Sequence, residues 1–126
     1  MSRCIDLFID APVELGELAA ELAELTGLAF DRDPDGSGFV TRQGDVALTM
    51  GEHDFVDDAH LPLSSYRYDL YARVSTSHVL DSPEAHLLRH VLSLVNANGQ
   101  YPALLVFDLQ HVIGRADGGT PAPIGA

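Results

Sequence analysis

The chain predicts an α+β domain built from a single, largely antiparallel sheet with two helices on one face, in the order β-α-β-β-β-β-α-β. Three observations carry that expectation. Residues 3–10 and 66–75 alternate apolar and polar side chains with the period of two that a half-buried strand requires. Residues 13–26 and 82–98 repeat leucine and valine at helical spacing, and glycine, proline and aspartate punctuate the runs between them. Consecutive strands with only two helices suit a sheet whose helices share a face, and a ferredoxin-like variant is the expected topology.

In the first strand Ile5, Leu7 and Ile9 fall on one side and Asp6 and Asp10 on the other. Asp10, Ala11 and Pro12 then read as a helix start, because proline is tolerated in a first turn where its missing N–H is not needed. From Val13 to Thr26 the apolar stripe is Leu15, Leu18, Leu22 and Leu25, and Gly27 is its stop. The opposite side carries Glu14, Glu17, Glu21 and Glu24 with no arginine between them. Each neighbouring pair costs an isolated helix a few tenths of a kcal/mol. That stripe reads either as a solvated face or as an acidic recognition surface.

Leu28 to Asp31 and Gly38 to Gln43 read as strands joined by a turn, and Gly44 leads into a further strand, Val46 to Met50. Residues 51–65 form a long acidic segment without period, a kind of connection that is uncommon unless functional or disordered. In residues 66–75 the alternation sets Tyr66, Tyr68, Leu70, Ala72 and Val74 against Arg67, Asp69, Tyr71, Arg73 and Ser75. The second set is expected on an uncovered sheet face, where Tyr71 among charges forms a contact patch. Asp81, Ser82, Pro83 and Glu84 open the second helix, which stops near Asn98-Gly99. Ala103 to Ile113 reads as one central strand lying near the first. The domain spans residues 1–115, and 116–126 form a flexible tail rich in glycine and proline.

The 126 residues suffice for one domain with a hydrophobic core, and 46% of them are apolar. A single cysteine, Cys4, excludes an intramolecular disulfide and a multi-cysteine metal cluster, and burial is its simplest reading. No run approaches the length of a membrane span, and no basic-then-apolar leader opens the sequence, so a cytoplasmic protein is expected. The net charge is −12, and every basic residue is arginine. Residues 1–58 account for −11 of that and residues 59–126 for −1. Such a domain repels phosphates, which disfavours nucleic acid, and its field accelerates encounter with a basic protein.

Asp31, Asp33, Asp35 and Gly36 match the opening of a calcium loop. Arg42 stands where the bidentate glutamate belongs and Pro34 interrupts the loop, so an aspartate-rich hairpin turn is the better reading. His86 and His90 lie four apart on a helix, a spacing that suits a metal ion, but Arg89 stands between them and further ligands would have to come from His53, Asp54 or His60. No nucleophile elbow, phosphate loop or paired catalytic signature is present, so no catalytic residue and no cofactor is assigned.

These features favour a non-enzymatic acidic module that binds a basic protein through Glu14, Glu17, Glu21, Glu24, Glu52, Asp54, Phe55, Asp57, Asp58 and Tyr71. In size, charge and element order over residues 3–115 the chain resembles the small acidic α+β immunity proteins that bacteria pair with secreted toxins, and it has the look of an actinobacterial protein of unassigned function. The resemblance implies a basic toxin as partner and transfers no site residue. Two alternatives stand beside it: a small metal- or ligand-binding enzyme around His53, His60, His86 and His90, and a homodimer or larger homo-oligomer formed through an exposed sheet face or edge.

Overall fold

The computed structural model describes residues 3–34, 36, 38–53, 57, 62–74, 78–109 and 111–117. The elements are β1 (Arg3–Ile9), α1 (Leu15–Thr26), β2 (Phe30–Arg32), β3 (Phe39–Gln43), β4 (Val46–Glu52), β5 (Tyr68–Val74), α2 (Pro83–Asn98), β6 (Pro102–Phe107) and β7 (His111–Asp117). Single 3-10 turns occupy Leu63–Ser65 and Val79–Asp81.

The seven strands form one antiparallel sheet in the order β2-β3-β4-β5-β1-β6-β7. It is wider than a four-stranded ferredoxin-like core, with β2 and β3 extending one edge and β7 the other. The first strand lies inside the sheet, paired on both sides with β5 and β6, and is almost wholly buried.

Both helices pack on one face. Ile5, Leu7 and Ile9 of β1, Leu48 and Met50 of β4, Tyr68, Leu70, Ala72 and Val74 of β5, and Ala103 and Leu105 of β6 meet Leu18, Leu22, Leu88, Val91 and Val95 in one apolar cluster. Burying such side chains contributes roughly 1.5–3 kcal/mol each, which makes this face the main source of stability.

Local signals explain the helix ends. The Ser82 hydroxyl accepts from Ala85 N–H at 3.1 Å with Pro83 next in the chain, an N-cap worth about 1 kcal/mol. Gly27 and Gly99 close the two helices in the left-handed conformation, at φ 77° and 68°.

Four expectations are corrected. Helix α1 starts at Leu15 with Glu14 as N-cap, not near Pro12. Asp10 N–H still donates to the sheet at Pro102 O (2.9 Å), and Val13 O receives the Tyr68 hydroxyl (2.5 Å), which ties residues 10–13 to the sheet ahead of the helix. The run Ala103–Ile113 is a hairpin rather than one strand, reversing at Asp108 and Leu109, which have φ of 54° and 57°. Strand β7 continues to Asp117, two residues into the segment expected to be tail; residues 118–126 lie outside the described residues. Tyr66 precedes β5 and packs on the sheet face opposite to Tyr68.

Candidate functional site

The acidic residues expected to bind a partner are divided by the sheet. Glu14, Glu17, Glu21 and Glu24 lie along α1 on the helix-covered side, and Tyr71 lies on the other side. Asp54, Phe55, Asp58 and His60 lie outside the described residues. Asp57 is exposed and accepts from the backbone N–H and the hydroxyl of Ser64 at 2.9 and 2.6 Å. Those bonds hold its carboxyl below the usual range.

Arg67 ties the helix stripe to the end of β4. Its guanidinium stands 3.2 Å from Glu52 and 3.8 Å from Glu14, and it donates to Val13 O at 3.3 Å. Both ion pairs are solvated, so each is worth at most about 1 kcal/mol. Their consequence is positional: Glu14 and Glu52 stand on one continuous rim.

Farther along α1 the stripe meets a groove of about 340 Å³ between the C-terminal halves of the two helices. Its apolar floor is Leu22, Leu25 and Val95, and its wall carries Glu21, Glu24, Asn98, Gln100 and Tyr101. The Tyr101 hydroxyl donates to Glu21. Burial, and then that bond to a carboxylate, push the Tyr101 phenol up to about 12. Glu21 is thereby held at the groove wall by a residue eighty positions away, a pairing no local pattern in the sequence announces.

The opposite sheet face holds a site that sequence reasoning missed. Asp6 and Asp69 had been placed on the solvent side of their strands, yet they are 3% and 4% exposed. In the β1–β5 register Asp6 faces Tyr71 and Phe8 faces Asp69, which sets the two carboxyl groups diagonally across neighbouring strands. They are hydrogen-bonded to each other, and the Oδ1 atom of each has no hydrogen-bond partner. Burial is the first cause that raises both acids. For Asp69 the bond to Asp6 and the Asp6 charge push the carboxyl further, to about 10, whereas for Asp6 the bond from Asp69 and the charges of His53 and Arg73 oppose the rise. The pair therefore holds one proton between its two carboxyl groups at neutral pH.

A small apolar cluster of Phe8, Leu63, Leu104 and Val106 walls the pair on one side, with Tyr66 and Leu109 packed against it. His53 stands edge-on to the Phe8 ring with centroids 4.9 Å apart, and its Nε2 lies 2.5 Å from Tyr66 O. Cys4 is half-buried beside the pair, its thiol pushed up by burial and by Asp6, so it is no nucleophile at neutral pH. The row expected to be exposed is thus mixed: Arg73 is exposed, Tyr71 is half-buried, Asp69 is buried, and Arg67 points back to α1.

The histidines named for an alternative metal or catalytic site are not brought together. His86 and His90 are exposed on α2, beside Gln43 and Asp45, whereas His53 lies across the sheet. Among the described residues no group of three or more His, Cys, Asp or Glu side chains is placed to hold a metal ion, and no helix is long and apolar enough to cross a membrane. Asp31 and Asp33 belong to the β2–β3 hairpin, where Asp33 N–H donates to Gly38 O at 2.9 Å. Comparison of the chain with protein-family models, curated proteins and solved structures finds no significant match.

Proposed function

We propose that the chain is a non-enzymatic, acidic protein-binding module that recognises a basic protein through the outer face of α1 and the rim at Glu52. The observation that supports it is the groove between α1 and α2, an apolar slot with Glu21 and Glu24 on its wall. An arginine or lysine side chain suits such a slot, laying its aliphatic stem on Leu25 and Val95 and its charged head against the carboxylates. The net charge of −12 accelerates encounter with a cationic partner. In this reading the protein works in the cytoplasm, and a basic toxin held by its immunity protein is the kind of complex that the resemblance implies.

The test is affinity capture from the native organism with the wild-type chain and with the double variant Glu21→Lys/Glu24→Lys, at about 50 mM and about 300 mM salt. The expected result is a stoichiometric basic protein that the wild type retains at low salt, releases at the higher salt, and the double variant does not retain. Equal retention by both chains, or no basic protein at either salt, overturns the reading.

A further inference from the structure

Both helices end beside the groove between α1 and α2, the first at Thr26 and the second at Asn98. The C-terminal end of a helix carries a partial negative charge of roughly half an elementary charge, which a basic residue in the last turn can offset. Neither helix has one there. The carboxylates of Glu21 and Glu24 stand at the same ends, and no described residue lining the groove is an arginine or a histidine. Tyr101 adds no charge at neutral pH, because burial and then the bond to Glu21 push its phenol up to about 12. The groove is therefore negative through two carboxylates and two helix ends, with no cation in its described lining.

The hydrogen-bonding capacity left on its wall is all for donors. The Tyr101 hydroxyl occupies Oε2 of Glu21 and leaves Oε1 to accept. Glu24 is exposed. The Asn98 amide nitrogen donates to Gln100 Oε1 at 3.0 Å, which leaves Asn98 Oδ1 to accept. Three acceptor groups thus stand around an apolar floor of Leu22, Leu25 and Val95. A guanidinium presents five N–H donors in one plane and is more weakly hydrated than an ammonium, so it loses less on entering a site where Glu21 is half-buried and the floor is apolar. The volume of about 340 Å³ lies at the small end of the ligand range and suits one side chain.

On the reading of the chain as a module for a basic protein, on which this step rests, we propose that the groove anchors an arginine side chain of that partner in preference to a lysine. The guanidinium engages Glu21, Glu24 and Asn98, and the aliphatic stem covers Leu25 and Val95. Methylation of the guanidinium keeps the charge and removes donors, so a methylated arginine fits less well.

The test is NMR titration of the full chain, with no protein partner present, at about 150 mM salt, where general attraction to the acidic surface is screened. The probes are three tripeptides blocked at both ends: glycyl-arginyl-glycine, its lysine counterpart, and the arginine peptide dimethylated on the guanidinium. For the arginine peptide the expected result is saturable binding with a Kd below about 5 mM and shifts at Leu22, Leu25 and Val95. The lysine and dimethylarginine peptides are expected to bind at least about threefold more weakly. Glu21→Gln/Glu24→Gln keeps an acceptor for the Tyr101 hydroxyl and is expected to weaken arginine binding by at least about fivefold, whereas Asp31→Asn/Asp45→Asn removes the same charge outside the groove and is expected to stay within about twofold of the wild type. A Kd above about 5 mM for the arginine peptide, either other peptide within about threefold of it, or a loss below about fivefold in the groove variant overturns the proposal, as does an equal loss in both variants. Because no protein partner enters the titration, arginine-selective binding with no basic protein captured from the organism removes the module reading and leaves the groove an arginine site. Capture of a basic protein without arginine-selective binding removes the anchor and leaves the module.

Discussion

The two faces of the sheet are made by the same strands and treat polarity in opposite ways. From Ile5 onward the odd residues of β1, Ile5, Leu7 and Ile9, enter the helix-covered core as an all-apolar row that contributes stability and little else. The even residues are Cys4, Asp6 and Phe8, and on that side an apolar cluster adjoins two buried carboxyl groups. A face that only needed covering would be better served by apolar side chains, since isosteric apolar replacement of buried ionisable pairs is often neutral or stabilising. The contrast separates residues that hold the fold from residues held by it.

The largest effect belongs to the apolar face. Leu88→Ala, at a fully buried position of α2, is expected to lower the unfolding free energy by about 2–5 kcal/mol, read from denaturant midpoints. A loss below about 1 kcal/mol would mean that the helix-covered core is not the principal source of stability.

On the polar face the sign reverses. Burial and the neighbouring carboxyl push the Asp6–Asp69 pair up, to about 10 for Asp69, so the folded chain retains a proton there that the unfolded chain releases near the ordinary aspartate value of about 4. Between those values the folded state binds more protons than the unfolded one, so stability from this group is complete below about pH 4 and declines as pH climbs toward 10. Asp69→Asn removes that decline and keeps a donor for Asp6. It is expected to be more stable than the wild type by on the order of 2 kcal/mol at pH 8, with the difference shrinking below pH 5, in melts at several pH values. A variant less stable than the wild type at pH 8 would show that the pair stabilises the fold.

Ser82→Ala is expected to cost about 1 kcal/mol through loss of the α2 N-cap. Replacing Glu14, Glu17, Glu21 and Glu24 together by glutamine is expected to change stability by less than about 1 kcal/mol. Relief of like-charge repulsion along α1 is offset by weakening of the bonds to Arg67 and Tyr101.

Much of the fold was legible because local chemistry and burial agree. The alternation of β1, that of β5 from Tyr68 to Val74, the Ser82-Pro83 helix start and the glycine stops at 27 and 99 stand where the sequence placed them. The β6–β7 hairpin was hidden because its turn uses Asp108 and Leu109, without the glycine that ordinarily marks positive φ, and because the apolar run reads straight through it. The carboxyl pair was hidden for another reason. Alternation identifies which side of a strand a residue takes, but Asp6 and Asp69 meet only through strand register, and whether that side is covered depends on Leu63 and Leu109 arriving from distant loops. The groove at Glu21 likewise depends on Tyr101, brought in from beyond α2.

The association rate of the captured basic partner with wild-type chain and with the fourfold glutamine variant, followed by stopped-flow fluorescence at about 20 mM salt and again at about 300 mM, tests the acidic-face reading most directly. The expected result is a rate at least about tenfold slower for the variant at low salt, with the two converging at high salt. Equal rates at low salt would contradict it and make the acidic helix face a solvated surface with no part in recognition.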